Sequence, residues 1–297
     1  MRFELRARTD ENSERIGQRS GTHQVPVLHT PEDWMIADTT PILHMLDARY
    51  PGRAMFPEGA EGALVHVLEE FFDEWVARVM VHYRWHYPDS ALFASQRMGG
   101  GNPDAAERVR SWGPRACRAT GTESEVQQKA AEDEYLRLMS AAEQQLQKTA
   151  YLLGDRPTAL DCIVLGGLRA HTLMDPDPAK VMQQFPVLID WANRRADTWD
   201  GGGELLPVNQ ISDFARAILR EMGSTYTPYI LANAKALGAG AKACFADIYG
   251  ERVSYLTRPY PEASRQMVQA TLAQLAPSER RSVDQILADY EVADAFV

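Results

Sequence analysis

The chain has 297 residues, 45% of them hydrophobic and 24% charged, with 31 Lys and Arg against 41 Asp and Glu for a formal net charge of −10. An acidic balance argues against a nucleic-acid binder, which carries a basic face, and no apolar run is long enough to span a bilayer. The charged start Met1-Arg2-Phe3-Glu4-Leu5-Arg6 is no signal peptide, and the scattered Cys117, Cys162 and Cys244 form neither a CxxC nor a disulfide framework, so a reducing cytoplasm is expected.

In chain order, Phe3–Ala7 alternates like a short strand, and Thr9–Arg19 is polar, a loop or a weak helix. Val25 to Asp38 reads as strand, turn and strand, with Pro31-Glu32-Asp33 as the turn. Pro26 has no N–H for a sheet ladder, so it marks an edge or a special turn. A cis Val25–Pro26 bond turns Val25 outward, free to pair with a bound peptide. Asp38-Thr39-Thr40-Pro41 then opens an amphipathic helix through Tyr50. Its unpaired first-turn N–H groups and the polar side chains beside them suit a carboxylate and an ammonium. Pro51–Gly62, rich in Pro and Gly, is expected to link two domains.

Glu61–Tyr87 follows as a long helix striped by Leu64, Leu68, Phe71, Trp75, Val79 and Tyr83. Pro88–Thr122, with Gly99-Gly100-Gly101 and Gly113-Pro114, is expected as a long irregular insertion. Glu123–Leu153 is a second long helix, striped by Tyr135, Met139, Ala142, Leu146 and Ala150. Thr158 and Asp161 then stand at the N-cap and third position of a helix containing Cys162-Ile163-Val164-Leu165, where each side chain can satisfy a backbone donor near the other. Ile211–Leu237 reads as a helix interrupted around Gly223 and Pro228. Ala243–Tyr260 reads as a β-hairpin centred on Tyr249-Gly250-Glu251. Two helices follow, after Pro261 and near Ser278. No internal repeat is present.

Two of these segments resemble the glutathione transferase (GST) family. Val25-Pro26-Val27-Leu28 with Asp38-Thr39 is similar to the glutathione-binding half, Thr standing where Ser is more usual. Gly154-Asp155-Arg156-Pro157-Thr158-Ala159-Leu160-Asp161 resembles the Gly-x-x-x-Thr-x-x-Asp box of the central helix in the all-helical domain, and Phe185-Pro186-Val187-Leu188-Ile189-Asp190-Trp191 resembles the next helix start. The resemblance implies an α+β, mostly helical chain. Residues 1–52 would form an incomplete thioredoxin-like glutathione-binding domain, 61–204 an all-α GST C-terminal domain, and 205–297 an extension with helices and a β-hairpin. It implies glutathione as co-substrate with no other cofactor, a small electrophilic or reducible second substrate, and a homodimer, with neither nucleic acid nor membrane as partner. Val25 would pair with the cysteinyl unit, Pro26 would fix that presentation, and Asp38 with Thr39 would take the γ-glutamyl end. The apolar second-substrate site is expected between the domains.

The beginning of the chain departs from the family pattern. Phe3–Ala7 resembles the family's second strand, leaving no room for the first strand, its helix and the Tyr, Ser or Cys that binds the glutathione sulfur. A free thiol has a pKa of about 8.5 and needs a donor to become thiolate near neutral pH. Ser20, Thr22 and His23 lie near in sequence but belong to the loop entering the Val25 strand. Two readings stand: Met1 is an internal methionine of a longer chain, or the protein keeps binding without catalysis. The first is preferred, because a sheet lacking its inner strand is unstable.

The remaining constellations read as packing. His82 and His86 have metal-chelating spacing on a helix but no companion Cys/His pair, so no metal is expected. Tyr83, Arg84 and Trp85 are candidates for the electrophile pocket, with packing as the competing reading. Glu69-Glu70 and Asp73-Glu74 are expected on a solvated face, and Cys162 is expected as a buried, inert thiol. The methionines are scattered as core filling, and no Gly-rich loop matches a nucleotide fingerprint.

Overall fold

The computed structural model describes residues 3–22, 25–194 and 199–297. It divides into two compact units, Met1–Phe56 and Pro57–Val297.

In the first unit, helix α1 (Asp10–Ser20) starts where the Thr9 N–H donates to Asn12 Oδ1 at 2.9 Å, and it stops at Gly21, whose φ of 73° is one that glycine adopts freely. Strand β1 (Val27–His29) pairs antiparallel with β2 (Met35–Ala37), Val27 opposite Ala37 and His29 opposite Met35. The turn between them closes through Thr30, whose carbonyl accepts from Asp33 N–H and whose Oγ1 accepts from Trp34 N–H. Helix α2 (Thr39–Arg49) follows at once, with Pro41 in the first turn, where a missing N–H costs nothing. Arg19 joins α1 to the hairpin turn through Asp33 at 2.8 Å. The strand expected at Phe3–Ala7 does not form: the segment is irregular, with Phe3 and Leu5 exposed. Alternation alone makes no strand without a ladder partner, and none of the described residues supplies one.

The second unit is built on one helical column: α3 (Gly59–Phe71), a wider π turn (Phe72–Val76) and α4 (Ala77–His86). The whole predicted stripe from Leu64 to Tyr83 is buried. At the start of the column a Cβ on Gly62 would lie 1.5 Å from the Pro57 carbonyl oxygen, so only glycine lets the chain enter this tightly. Helix α8 (Glu125–Leu146) is the second long helix, with Tyr135, Met139, Ala142 and Leu146 buried. It ends seven residues earlier than expected, because the Gln145 carbonyl takes the N–H groups of Lys148 and Thr149 and the chain reverses.

Pro88–Thr122 is helical rather than irregular: α5 (Pro88–Met98), α6 (Pro103–Arg110) and α7 (Gly113–Ala119). Its prolines occupy first turns, and Gly99, Gly100 and Gly101 fall between helices, so both residue types punctuate. Helix α9 (Ala159–Gly167) follows, continued by a π turn to Thr172, then α10 (Pro176–Met182) and α11 (Pro186–Ala192).

The last ninety residues are built into this same unit. Helices α12 (Asp213–Ser224) and α13 (Tyr226–Gly238) break at Thr225, between Gly223 and Pro228 as expected. They place Phe214, Ile218, Leu219, Met222, Tyr226, Tyr229 and Ile230 in the core. Strands β3 (Ala243–Ile248) and β4 (Glu251–Leu256) form an antiparallel hairpin, and α14 (Pro259–Ala273) and α15 (Pro277–Asp289) close the chain. These elements overturn the solvated reading of the acidic run. Glu69, Glu70 and Glu74 are buried, and the extension covers Glu70 and Glu74. The Glu70 carboxylate accepts from Tyr226 O–H at 2.6 Å and from Ser264 O–H, while Glu74 lies 3.5 Å from the Arg258 guanidinium. Among the described residues no helix is long and apolar enough to cross a membrane.

Candidate functional site

The site residues of the first unit converge around the start of α2. The Val25–Pro26 peptide is cis, and Val25 is 71% exposed, an unusual position for a valine at a strand entrance. Among the described residues its main-chain N–H and C=O have no hydrogen-bond partner. The Pro26 carbonyl accepts from Asp38 N–H at 3.3 Å, one step beyond the Val27–Ala37 pair, so the hairpin register sets Pro26 beside the helix mouth.

Asp38 is the N-cap of α2, with φ 76° and ψ 145°. A non-glycine residue in that region costs about 1–3 kcal/mol and persists where its surroundings demand it. The demand here is local: Asp38 ends the strand, its Oδ1 accepts from Thr39 N–H at 2.6 Å, and its carbonyl accepts from Ile42 N–H. A free strand residue and a carboxylate at a helix start can together pair with an extended peptide and hold an ammonium group. Nearby, Arg19 first and His29 second hold the Asp33 carboxyl down at about 2.

The other singled-out residues are engaged elsewhere. Tyr83 is buried, which raises its phenol above the usual range, and it packs against Tyr87. Arg84 forks onto Asp175 at 2.7 and 3.0 Å and donates to the Ala170 carbonyl. Trp85 lies against Gly113. Arg84 and Trp85 therefore hold α4 to the chain around α10 and to α7. His82 and His86 do meet, Nδ1 to Nδ1 at 2.9 Å, with His82 Nε2 2.8 Å from a Glu132 oxygen that also accepts from Tyr87 O–H at 2.6 Å. Burial lowers the pKa of both histidines. Among the described residues no three His, Cys, Asp or Glu side chains are placed to hold a metal ion. Cys162 is half-buried rather than buried, since α9 leaves one face open. Cys117 and Cys244 are buried, and burial pushes both thiols up, away from thiolate. The Ser20 hydroxyl donates to the Ile16 carbonyl at 2.7 Å, and His23 lies outside the described residues.

Sequence reasoning missed a polar centre in the second unit. Glu134 is fully buried on α8, accepting from Trp75 Nε1–H at 3.0 and 3.1 Å and from Tyr249 O–H at 2.5 Å. Burial pushes its carboxyl up, and the Arg78 guanidinium 3.7 Å away opposes that push. Arg78 lies over the Trp75 ring at 4.3 Å, and among the described residues none of its three nitrogens has a hydrogen-bond partner. A signal existed: Gln127, Ala131, Glu134 and Leu138 follow i, i+4, i+7, i+11, an inward stripe that happens to carry polar residues.

The box at the start of α9 forms as drawn from its spacing. Thr158 N–H and Oγ1–H donate to Asp161 Oδ2 at 2.8 and 2.9 Å, while Oδ1 takes Leu152 N–H. Residues 101–197, spanning α6 to beyond α11, match the family model for the glutathione S-transferase C-terminal domain. No curated protein and no solved structure matches the chain. The box and the matched segment lie together in the helical unit, so over residues 101–197 the chain is similar to the glutathione S-transferase C-terminal domain.

Proposed function

We propose that the chain binds glutathione at Val25, Pro26, Asp38 and Thr39 and transfers its thiolate to a small electrophilic carbon or a reducible bond. The observation that carries this reading is the outward main chain of Val25, unpaired among the described residues, beside the helix start, where the Pro26 carbonyl is joined to Asp38 N–H. Val25 N–H and C=O pair with the cysteinyl unit, and Asp38 with Thr39 receives the γ-glutamyl end. In transfer to carbon, the sulfur forms the new C–S bond, the leaving group departs with its electron pair, and the thiol proton passes to solvent. A second reading, binding without transfer, is favoured by Ser20, whose hydroxyl is spent on the Ile16 carbonyl instead of a sulfur.

Retention of the full chain on immobilised glutathione, with elution by free glutathione, tests the site. Asp38→Ala is expected to weaken retention about tenfold or more, the effect of losing one hydrogen bond to a charged group. Conjugation of 1-chloro-2,4-dinitrobenzene, followed by absorbance, separates the two readings. Retention with turnover supports transfer, and retention without turnover supports binding alone. If the intact chain is not retained and Asp38→Ala changes nothing, the site assignment fails.

A further inference from the structure

The hairpin of the second unit leaves one edge open beside a built cleft. Tyr249 and Gly250 form its two-residue turn, with φ of 52° and 78°, the conformation of a type I′ turn. In such hairpins the residues flanking the turn, here Ile248 and Glu251, exchange both ladder hydrogen bonds, and the bonded pairs recur at every second residue. Ala246–Val253 and Cys244–Tyr255 are therefore bonded pairs. The Thr257 N–H to Lys242 carbonyl bond at 3.1 Å continues the same series. Arg252 and Ser254 are consequently the β4 residues whose main-chain N–H and C=O point away from β3. Among the described residues the sheet has only these two strands. Among the described residues no hydrogen bond involves the main-chain groups of Arg252 or Ser254.

Those two residues line a cleft of about 380 Å³, whose opposite wall is the N-terminus of α8 with Glu123, Ser124 and Gln127. That volume is within the range of about 300–1,000 Å³ found for ligand clefts. Gln127 is 1% exposed, and its amide nitrogen donates to the Ile248 carbonyl at 2.8 Å, while its Oε1 has no hydrogen-bond partner among the described residues. Glu251 uses Oε2 to accept from Ser124 O–H at 2.6 Å, and Oε1 has no partner among the described residues. At the same wall Gly121, φ 71°, stands where a Cβ would come within 2.2 Å of the Tyr255 ring. The cleft thus offers a free strand edge and two carboxylates, Glu123 and Glu251, against the single guanidinium of Arg252.

We infer that this cleft takes an extended segment of another polypeptide, which adds as a strand to the β4 edge and carries a lysine or arginine. Main-chain pairing with Arg252 and Ser254 supplies the alignment, as in other strand additions. Charge decides the occupant: Glu123 and Glu251 outnumber Arg252 in the lining of the cleft, on a chain of net charge −10. The cationic side chain meets those carboxylates.

Fluorescence anisotropy of the full chain with two dye-labelled octapeptides of alternating Thr and Val tests this, one with a central Lys and one with a central Glu. Saturable binding of the Lys peptide is expected, with the Glu peptide at least about tenfold weaker. Glu123→Gln narrows that preference. Ser254→Pro removes an outward N–H without breaking a ladder bond, so it should abolish binding while melting stays unchanged. Should Ser254→Pro lower the melting temperature, hydrogen exchange of the native chain replaces it, and slowing of the Arg252 and Ser254 amides on adding the Lys peptide is expected. Absence of saturable binding, full binding by a stable Ser254→Pro chain, or no such slowing overturns the inference. So does a dimer of the peptide-free chain that excess Lys peptide dissociates, since the edge then belongs to a second copy.

Discussion

Glu134 shows what a single buried carboxylate requires. Its two oxygens are served by Trp75 on the central column and by Tyr249 at the tip of the C-terminal hairpin. Tyr249→Phe removes one donor and leaves part of the carboxylate unpaired, which costs about 1–3 kcal/mol. Urea denaturation at neutral pH should show a lowered midpoint with an unchanged slope; an unaltered midpoint means that the phenol carries no net weight. At the other end of the chain, Asp38 keeps a φ of 76° for the sake of a helix cap and a strand end. Its type could be read from the sequence, because Asp before Thr-Thr-Pro is a helix-start signal. Its backbone angle could not, because that depends on the hairpin register behind it.

At the scale of the element, the start of α9 is the clearest case of local chemistry setting local structure. Asp161 is buried while accepting from Thr158 and Leu152, and burial raises its carboxyl to about 6. A carboxyl that holds its proton more tightly when folded makes stability fall with rising pH between its unfolded value, near 4, and about 6. Asp161→Asn removes that slope, so its deficit relative to the native chain should shrink between pH 4.5 and pH 7 in denaturant titrations. A deficit that grows over this window contradicts the raised value. Asp161→Ala, leaving Leu152 and Thr158 N–H groups without acceptors, should cost about 2–4 kcal/mol at pH 4.5 and less at pH 7, read as a lower melting temperature. Thr-x-x-Asp was legible because the capping box is encoded within four residues. The helices of 88–119 were not, since Pro and Gly at helix boundaries look from sequence alone like a loop.

For the whole molecule, the C-terminal ninety residues are part of the helical unit and not an appendage. They bury Glu70 under Tyr226 and Ser264, bring Tyr249 to Glu134, and cover Phe71 and Trp75 with Tyr226 and Tyr229. A chain ending after residue 212 would expose this apolar surface and strand two buried carboxylates, so it should be insoluble or bind a hydrophobic dye strongly. A soluble, sharply melting truncated chain would show the extension to be dispensable. The sequence alone determined the elements whose signals are short and local: the Val-Pro strand entry, the α2 start, the α9 box, the Tyr-Gly hairpin turn and the two apolar columns. Only the tertiary structure decided that Glu69, Glu70, Glu74 and Glu134 lie inside, that Phe3–Ala7 is no strand, and that the edge of β4 faces a cleft. The reason is physical: capping and turn formation act over a few residues. Burial of a carboxylate or pairing of a strand depends on partners tens to hundreds of residues away, which local patterning does not encode.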